Sequence, residues 1–230
     1  MVTISLIVPA LNEAACIGPL LAELPPGLVD EVIVVDNGST DDTAAAARLA
    51  GATVIAEPRR GYGYACAAGA AAARGDALVF MDGDGSFVPA ELARLVAPLL
   101  AGEAELALGT RTQGGMAAGA MPQHQRFGNA LVAWLLRAIY GLQITDLGPY
   151  RAISRALLAD LAMSEMTYGW PVEMMIKCAR RRATIVELPV TYRPRLAGVS
   201  KVGGTLRGTV LAGYRMLRLT LMYALARPTR

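Results

Sequence analysis

The sequence has few of the residues that form covalent cross-links or metal centres. Its 230 residues include only three cysteines (Cys16, Cys66 and Cys178) and one histidine, His124. The cysteines are far apart in the chain and form no CxxC pair, and His124 has no histidine or cysteine neighbour. These spacings argue against a disulfide framework and against a structural zinc site.

Long apolar runs are also absent, although 54% of the residues are hydrophobic and only 18% are charged. No stretch reaches the roughly 18 apolar residues of a membrane span, because Arg137 closes one segment and Arg215 and Arg218 divide another. The N-terminus has no basic segment before its short apolar run, which ends at Pro9, so it predicts a strand rather than a signal peptide. We therefore expect a globular cytoplasmic protein without a membrane span and without a nucleic-acid partner.

Acidic residues are missing from the end of the chain, since none follows Glu187. Residues 188–230 carry eight basic residues, whereas the first 187 residues carry 14 basic and 19 acidic ones. The formal net charge of +3 thus combines −5 over the first 187 residues with +8 over the rest. This asymmetry indicates an anionic partner for the C-terminal end, such as phosphate groups or the inner face of the membrane, where the protein would be peripheral.

What the sequence does contain is an alternation of short apolar runs with helical segments. The apolar runs predict strands over residues 4–8, 32–35, 53–56, 77–81, 106–109 and 184–190, and a turn over 146–151 leads into a further strand. Helices are predicted over residues 14–24, 41–50, 64–74, 89–100, 123–140, 171–182 and 205–226. This order is typical of an α/β fold with a Rossmann-like, mostly parallel sheet covered by helices on both faces.

We expect one domain over residues 1–204, followed by a C-terminal amphipathic basic helix over 205–230. At about 100° per residue, Arg207, Arg215 and Arg218 fall within an arc of roughly 80° on a strongly apolar helix. Such a helix either packs against the core or lies on a membrane surface, and both interpretations remain open at this point.

Polar segments directly follow three of the predicted strands, at residues 9–13, 36–42 and 82–86. Because the carboxyl ends of parallel strands meet at one sheet edge, where ligands bind, we expect these segments to share a cleft. Asp82 and Asp84 flank a glycine and can either hold one hard cation or cap an ordinary Asp-Gly turn. Taken together, the three segments indicate a nucleotide diphosphate bound with a metal.

In order and spacing, these segments resemble the family 2 glycosyltransferases of the GT-A fold. The matching motifs are Pro9-Ala10-Leu11-Asn12-Glu13, Val34-Val35-Asp36-Asn37-Gly38-Ser39-Thr40-Asp41, Gly61-x-Gly63 with Ala73-Arg74-Gly75-Asp76, and Met81-Asp82-Gly83-Asp84. Four further motifs resemble the dolichyl-phosphate mannosyltransferase and polyprenyl-phosphate glycosyltransferase branch: Gly109-Thr110-Arg111, Asp146-Leu147-Gly148-Pro149-Tyr150-Arg151, Val186-Glu187-Leu188-Pro189-Val190 and Gly198-Val199-Ser200-Lys201. The resemblance covers about residues 3–204.

The resemblance implies a nucleotide pocket lined by Pro9, Leu11, Glu13, Asp36 and Asp82. It also implies that Asp82 and Asp84 hold the diphosphate through Mg²⁺ or Mn²⁺. The chain departs from the branch at two positions: Asn37 stands where a second aspartate is often found, and Ser86 stands where a glutamine often serves as a further metal ligand. Ser86 therefore leaves the strength of the metal site open.

A lipid phosphate is already anionic at neutral pH, so such an acceptor needs positioning and charge stabilisation rather than a strong base. Basic side chains bind phosphate either in a bidentate manner or as point charges. The catalytic candidates are Asp84, Arg111, Arg126, Arg195 and Lys201.

Our leading hypothesis is an inverting, metal-dependent hexosyltransferase that moves a sugar from a nucleotide-diphosphate sugar to a polyprenyl phosphate at the cytoplasmic face of the membrane. One alternative is a family 2 glycosyltransferase with a soluble saccharide or metabolite acceptor, for which Glu173 or Asp146 would serve as the base. Another alternative is a non-catalytic module that only binds nucleotide sugars, which the departure at Ser86 suggests. The sequence does not identify the sugar, the base or the acceptor.

Overall fold

The structure is a computed structural model that describes residues 2–200 and 206–225, with the backbone alone described for residues 206–212. Its strands are β1 (Ile4–Ala10), β2 (Glu31–Asp36), β3 (Thr53–Ala56), β4 (Ala77–Phe80), β5 (Leu106–Thr110), β6 (Arg151–Ser154) and β7 (Ile185–Pro189). Its helices are α1 (Ala14–Ala22), α2 (Thr43–Leu49), α3 (Tyr62–Ala72), α4 (Leu92–Leu100), α5 (Gln123–Tyr140), α6 (Arg155–Leu161), α7 (Trp170–Arg181) and α8 (Leu206–Leu225). A short 3₁₀ turn, Pro89–Glu91, precedes α4.

The strands form one seven-stranded sheet in the order β3-β2-β1-β4-β6-β5-β7. All neighbouring strands are parallel except β6, which is antiparallel to both β4 and β5. The registers pair Ala10 with Asp36 and Ile7 with Phe80, so β1, β2 and β4 end at the same edge. The predicted mostly parallel α/β sheet is confirmed, and the three polar segments lie together at that edge.

The uniformly apolar strands reflect burial of the sheet on both faces. In β1, Leu6 and Val8 point into one core cluster with α1, α2 and α4, whereas Ile7 points into the other with α3, α5, α6 and α7. Successive strand side chains alternate between faces, so a strand covered on both sides needs apolar residues throughout. The helices therefore cover both faces, as predicted.

Two features of the fold were not foreseen, and both concern the segment around β6. The sequence predicted a strand after residue 151 but not its antiparallel direction, and it did not predict α6. Helix α6 follows β6 without a linker, and the Ser154 side chain accepts a hydrogen bond from the Leu157 N–H (3.2 Å) as its N-cap. A strand and helix that share a boundary leave no turn signal in the sequence to separate them.

The last helix, α8, packs against α5 and α7. Leu217 and Leu219 contact the core, and the Tyr140 hydroxyl donates to the Thr220 carbonyl (3.0 Å). Its opposite face exposes Tyr214 and Leu225, among others. The helix thus has a core-packed face and an apolar exposed face at the same time. In the described part of the chain, no helix is long and apolar enough to cross a bilayer.

All three cysteines are buried free thiols. Burial raises the pKa of Cys66 well above its ordinary value and raises that of Cys178 to about 12. The pKa of Cys16 is also raised, first by burial and then by the charge of Glu13. The thiols are therefore apolar packing groups at neutral pH.

Candidate active site

The segments after β1 and β2 are joined by hydrogen bonds at the carboxyl edge of the sheet. The Asn12 N–H donates to Ser39 Oγ (2.9 Å), and the Thr40 N–H donates back to Asn12 Oδ1 (2.8 Å). Asn12 has a positive φ of 53°, a conformation that asparagine tolerates better than most residues. The Glu13 N–H donates to Thr43 Oγ1 (2.8 Å). These bonds make one continuous wall of the segments that contain Pro9, Leu11 and Asp36.

The Asn37 side chain organises the neighbouring loop. Its amide nitrogen donates to the carbonyls of Glu57 (2.9 Å) and Arg59 (2.7 Å), and its oxygen accepts from the Gly61 N–H (2.9 Å). Asn37 is buried, whereas Asp36 beside it is only half-buried. The departure from the family pattern therefore has a structural role, because a carboxylate at residue 37 has no N–H to donate to the two carbonyls.

Asp82 and Asp84 lie in a turn directly after β4. Asp84 Oδ1 accepts from the Ser86 N–H (3.0 Å), and Gly85 adopts a φ of +76° that favours glycine. Burial, followed by the charge of Asp84, raises the pKa of Asp82 to about 7. Two carboxylates close enough for the charge of Asp84 to raise the pKa of Asp82 provide the neighbouring oxygen ligands that a hard divalent cation requires.

These residues fit a cation that is shared with a substrate. The Ser86 hydroxyl is buried and has no hydrogen-bond partner among the described residues, which leaves an unused oxygen in the turn that contains the two carboxylates. Over residues 2–200 and 206–225, no group of three or more His, Cys, Asp or Glu forms a metal centre of its own. A cation at Asp82 and Asp84 would therefore take its other ligands from water or from substrate phosphate, as Mg²⁺ commonly does.

The loop after β7 lies across this turn and brings Arg195 to it. Arg195 Nη2 donates to both carboxylate oxygens of Glu13 (2.8 and 2.7 Å), and its Nη1 is 3.7 Å from Asp84 Oδ2. The Leu196 N–H donates to the Asp84 carbonyl (3.0 Å). Arg193 anchors the same loop through the Gly85 carbonyl (2.7 Å). Glu13, Asp84 and Arg195, which were predicted separately, thus form one charged group.

Arg111 approaches the same region from the end of β5, where it is paired with buried Asp146. Asp146 accepts from Arg111 Nε (2.8 Å), Nη2 (2.7 Å) and the backbone N–H (2.7 Å). Burial opposes the charged form, yet the hydrogen bonds and charge of Asp146 raise the pKa of Arg111 above its ordinary value. The Tyr192 ring, which the sequence did not indicate, lies 5.2 Å from the guanidinium carbon. Arg111 is therefore a cation held in place by the Asp146 carboxylate.

Neither carboxylate considered as a general base is placed to act as one. Asp146 is used by Arg111. Glu173 is buried and accepts from the N–H groups of Ser164 (2.9 Å) and Glu165 (2.8 Å) and from the Tyr223 hydroxyl (2.7 Å). It therefore attaches two neighbouring elements to α7 and does not face a substrate.

One of the predicted basic residues, Arg126, is not part of this group. Arg126 is exposed near the start of α5, as is His124. Lys201 lies outside the described residues. Among the described residues, Arg111 and Arg195 are the predicted basic residues that lie near Asp82 and Asp84.

The sequence profile of glycosyl transferase family 2 matches residues 5–161. The chain belongs to glycosyltransferase family 2. An uncharacterized glycosyltransferase of Mycobacterium tuberculosis is 39% identical to it over 209 residues, which cover 91% of this chain and 94% of that relative. The low-salt glycan biosynthesis hexosyltransferase of Haloferax volcanii is 33% identical over 199 residues, which cover 84% of this chain and 48% of that protein.

A solved structure of glucosyl-3-phosphoglycerate synthase from Mycobacterium tuberculosis, in complex with Mn²⁺, UDP and phosphoglyceric acid, matches with a TM-score of 0.79 at 29% identity. The match covers 99% of this chain and 80% of the synthase. Another structure of that synthase contains Mg²⁺ and UDP. The expected GT-A fold and glycosyltransferase class are confirmed, so the non-catalytic alternative is set aside. The synthase structure holds phosphoglyceric acid rather than a lipid phosphate, which favours the soluble-acceptor alternative over our leading hypothesis.

Proposed function

We propose that this glycosyltransferase moves a hexose from a nucleoside-diphosphate sugar to a small phosphorylated acid in solution. The observation that carries the proposal is the meeting of two kinds of group at one sheet edge. Asp82 and Asp84 suit a divalent cation with a diphosphate, and Arg111 and Arg195 suit anionic groups of the substrates. The synthase complexes with UDP, Mn²⁺ and phosphoglyceric acid support both halves of this assignment.

On the donor side, Asp82 and Asp84 would hold Mg²⁺ or Mn²⁺, which when bound neutralises charge on the diphosphate leaving group. Asp36 is half-buried at the end of β2, and among the described residues its side chain is recorded accepting from the Ser39 N–H (2.8 Å) through Oδ1, so it suits the ribose or base of the nucleotide. Pro9 and Leu11 line the wall beside it. Glu13 holds Arg195 over the turn, so we assign to Glu13 the role of positioning the Arg195 guanidinium.

On the acceptor side, the paired Arg111 guanidinium supplies a fixed positive charge. An acceptor that carries a phosphate or carboxylate would be oriented by this charge, and orientation of the attacking oxygen accounts for much of the rate in such transfers. Asp146 and Glu173 are both committed to hydrogen bonds, so the proton of an attacking hydroxyl would leave through a substrate oxygen or water. Inversion at the anomeric carbon, which the family resemblance implies, remains part of the proposal.

The test is a transfer assay with UDP-glucose, Mn²⁺ and 3-phosphoglycerate, in which the product is identified by its mass and its anomeric configuration by proton NMR. We expect a glucosylated acid whose formation stops when the metal is chelated. Asp84→Asn should reduce metal-dependent UDP release by at least about 100-fold, because one of two protein ligands to the cation is lost.

The matched control is Asp76→Asn, at the opposite end of β4, where the carboxylate accepts from the Thr3 N–H (2.9 Å). This variant should transfer glucose at the rate of the unmodified protein. Transfer to 3-phosphoglycerate that persists in Asp84→Asn would refute the assigned metal site. The absence of any product from phosphorylated or carboxylated acids would refute the acceptor class.

A lipid phosphate at a membrane surface remains a second candidate acceptor because of one observation. Helices α5 and α8 pack together and expose large apolar side chains next to basic ones. The exposed apolar residues are Phe127, Trp134, Ile139, Tyr214, Leu221, Met222 and Leu225. Apolar residues bordered by Arg126 and Arg218 are typical of a surface that contacts anionic lipid headgroups.

This second candidate is tested with polyprenyl phosphate in detergent and with anionic liposomes in a sedimentation assay. Replacing Trp134 and Leu225 with serine should abolish liposome binding while leaving transfer in detergent unchanged, if the surface serves only for attachment. A protein that ignores both the liposomes and the lipid phosphate, yet glucosylates a soluble acid, would settle the choice in favour of the first proposal.

A further inference from the structure

Glu187, in β7, makes contacts that no part of the mechanism described so far requires. Its Oε1 accepts from the backbone N–H groups of Thr145 (2.9 Å) and Asp146 (3.0 Å), and its Oε2 accepts from the Thr145 hydroxyl (3.0 Å). These bonds join residues more than 40 positions apart in the chain. One carboxylate therefore fixes the turn from which the Asp146 side chain projects.

The Asp146 carboxylate transmits this placement to Arg111. It holds three N–H groups of Arg111, and it also accepts from the Leu147 N–H (2.7 Å). Asn129 Oδ1 accepts from the Leu147 N–H (3.1 Å) and completes the support of the turn from α5. The Arg111 guanidinium is thus held directly by the Asp146 carboxylate, and the backbone turn that carries Asp146 is in turn held by Glu187.

The same carboxylate orients a group of hydroxyls at the start of the loop between β5 and α5. Because the Thr145 hydroxyl donates its only proton to Glu187, its oxygen must accept from Thr112 (2.9 Å) and from the Gln113 amide (3.3 Å). Thr110 lies 3.0 Å from both Thr112 and Thr145. Glu187 therefore sets the direction of these hydrogen bonds as well as the position of the turn.

We propose that Glu187 is a positioning residue that acts on the transfer reaction through Arg111. Its contacts with the Thr145–Asp146 turn keep the Asp146 carboxylate, and with it the Arg111 guanidinium, in the orientation that receives the anionic group of the acceptor. The inference rests on the proposed function, which assigns that anionic group to Arg111. It adds a residue that touches neither substrate nor metal.

The experiment uses Glu187→Gln, which keeps the size of the side chain and one acceptor oxygen. The new amide would point N–H groups at the Thr145 donors and so reverse that part of the network. We expect the KM for 3-phosphoglycerate to rise by about tenfold, the usual effect of one charge-assisted hydrogen bond, while the KM for UDP-glucose changes by less than about twofold.

A double-mutant cycle separates positioning from a general loss of stability. In an Arg111→Lys background, where the bidentate pairing with Asp146 is already lost, Glu187→Gln should lower kcat/KM by less than about twofold. The control is Glu31→Gln at the opposite sheet edge. Glu31 accepts from Ser5 Oγ (2.6 Å) and from the Arg74 N–H (2.5 Å), so it has a similar structural task away from the site. If Glu187→Gln lowers kcat/KM equally in the unmodified and the Arg111→Lys proteins, or lowers it in neither, the proposal is overturned.

A second readout does not depend on the acceptor. Hydrogen exchange at the Arg111 Nε–H, followed by ¹⁵N NMR, reports directly whether the Asp146 pairing has loosened. We expect Glu187→Gln to speed this exchange by about tenfold, with no change in Glu31→Gln. If the protein glucosylates no acid but the Arg111 Nε–H exchanges faster in Glu187→Gln, the proposed function is wrong, whereas the positioning of Arg111 by Glu187 is supported. If the exchange rate does not change, Glu187 does not position Arg111, whatever the acceptor is.

Discussion

At the scale of single residues, Asn37 shows why a departure from a family pattern need not weaken a site. Its amide makes three hydrogen bonds that shape the loop between β3 and α3. Both the donor and the acceptor capacity of the side chain are used, and the residue is buried. An aspartate there would be compatible with the fold only if the loop took another path.

We therefore predict that Asn37→Asp is destabilising, although the replacement restores the residue expected from related enzymes. The carboxylate would face the carbonyls of Glu57 and Arg59 without a proton to share, at a cost of about 1 to 3 kcal/mol. Denaturant unfolding measures the change. The destabilisation should shrink as the pH falls toward the ordinary aspartate pKa of about 3.9, because burial beside two carbonyls raises the folded-state pKa of the new carboxyl and a protonated aspartate regains one donor. Unchanged stability at pH 7 would mean that the loop adapts freely.

The strand-end residues could be predicted to meet, but their partners could not. The alternation of strands and helices placed Glu13, Asp82 and Asp84 at one edge, because parallel strands end together. Nothing in the sequence links Glu13 to Arg195, which lies 182 residues away, since their pairing depends on the path of the loop after β7. The sequence alone leaves Asp146 available as a base, because nothing in it reveals the ion pair with Arg111. The two residues are 35 positions apart and meet only in the folded chain.

At the scale of elements, Glu173 connects α7 with the loop before it and with α8. Burial would raise its pKa, but the hydrogen bonds from Ser164, Glu165 and Tyr223 outweigh burial, and the pKa is lowered from its ordinary value. The carboxylate therefore stabilises the folded state once it is ionised. That contribution is complete above the ordinary glutamate pKa of about 4.3 and is lost as the pH falls through the lower folded-state pKa.

Glu173→Gln should lower the free energy of unfolding by about 1 to 3 kcal/mol at pH 7. The difference from the unmodified protein should narrow as the pH falls below about 4, because the native carboxylate becomes protonated and loses its advantage. Denaturant titrations of both proteins across this pH range measure the difference in the free energy of unfolding. A gap that widens in acid would contradict the sign of the pKa shift. A loss of α8 contacts without any change in stability would contradict the role assigned to Glu173.

The ends of an element could be predicted from the sequence where a proline or glycine flanks it, and they could not be predicted where no such residue is present. Helix α5 begins after Pro122 and ends before Gly141, and its predicted bounds are those of the structure. Strand β6 and helix α6 are short and contiguous, and the chain direction in β6 depends on long-range pairing with β4 and β5. Sequence periodicity contains no information on such pairing.

At the scale of the whole molecule, α8 is attached to the core by one face, which agrees with one of the two interpretations that the sequence left open for this helix. Met216, Leu217, Leu219 and Tyr223 all pack against the core cluster that contains α5 and α7. Ending the chain at residue 204 should therefore remove roughly 3 to 6 kcal/mol of stability, estimated from the apolar surface that these side chains bury. For a chain of this size, we expect the melting temperature to fall by about 10 °C or more.

Differential scanning calorimetry of the shortened and full-length chains tests this prediction. The matched control is Leu225→Ser in the full-length chain, on the exposed face of α8, where the residue is 86% exposed. It should leave the melting temperature within about 1 °C, as surface substitutions usually do. Equal melting temperatures for the shortened and full-length chains would establish that α8 is an independent appendage.

The three buried thiols also equip the protein with built-in chemical reporters. Cys16 Sγ lies 3.7 Å from the carbonyl of Ala197, in the loop that lies across the turn containing Asp82 and Asp84, whereas Cys66 and Cys178 are within the core on α3 and α7. Only an exposed, ionised thiol reacts readily with an alkylating reagent such as iodoacetamide. Alkylation of Cys16 would therefore mark lifting of that loop, and alkylation of Cys66 or Cys178 would mark opening of the core, so mass spectrometry can time both motions without an engineered label.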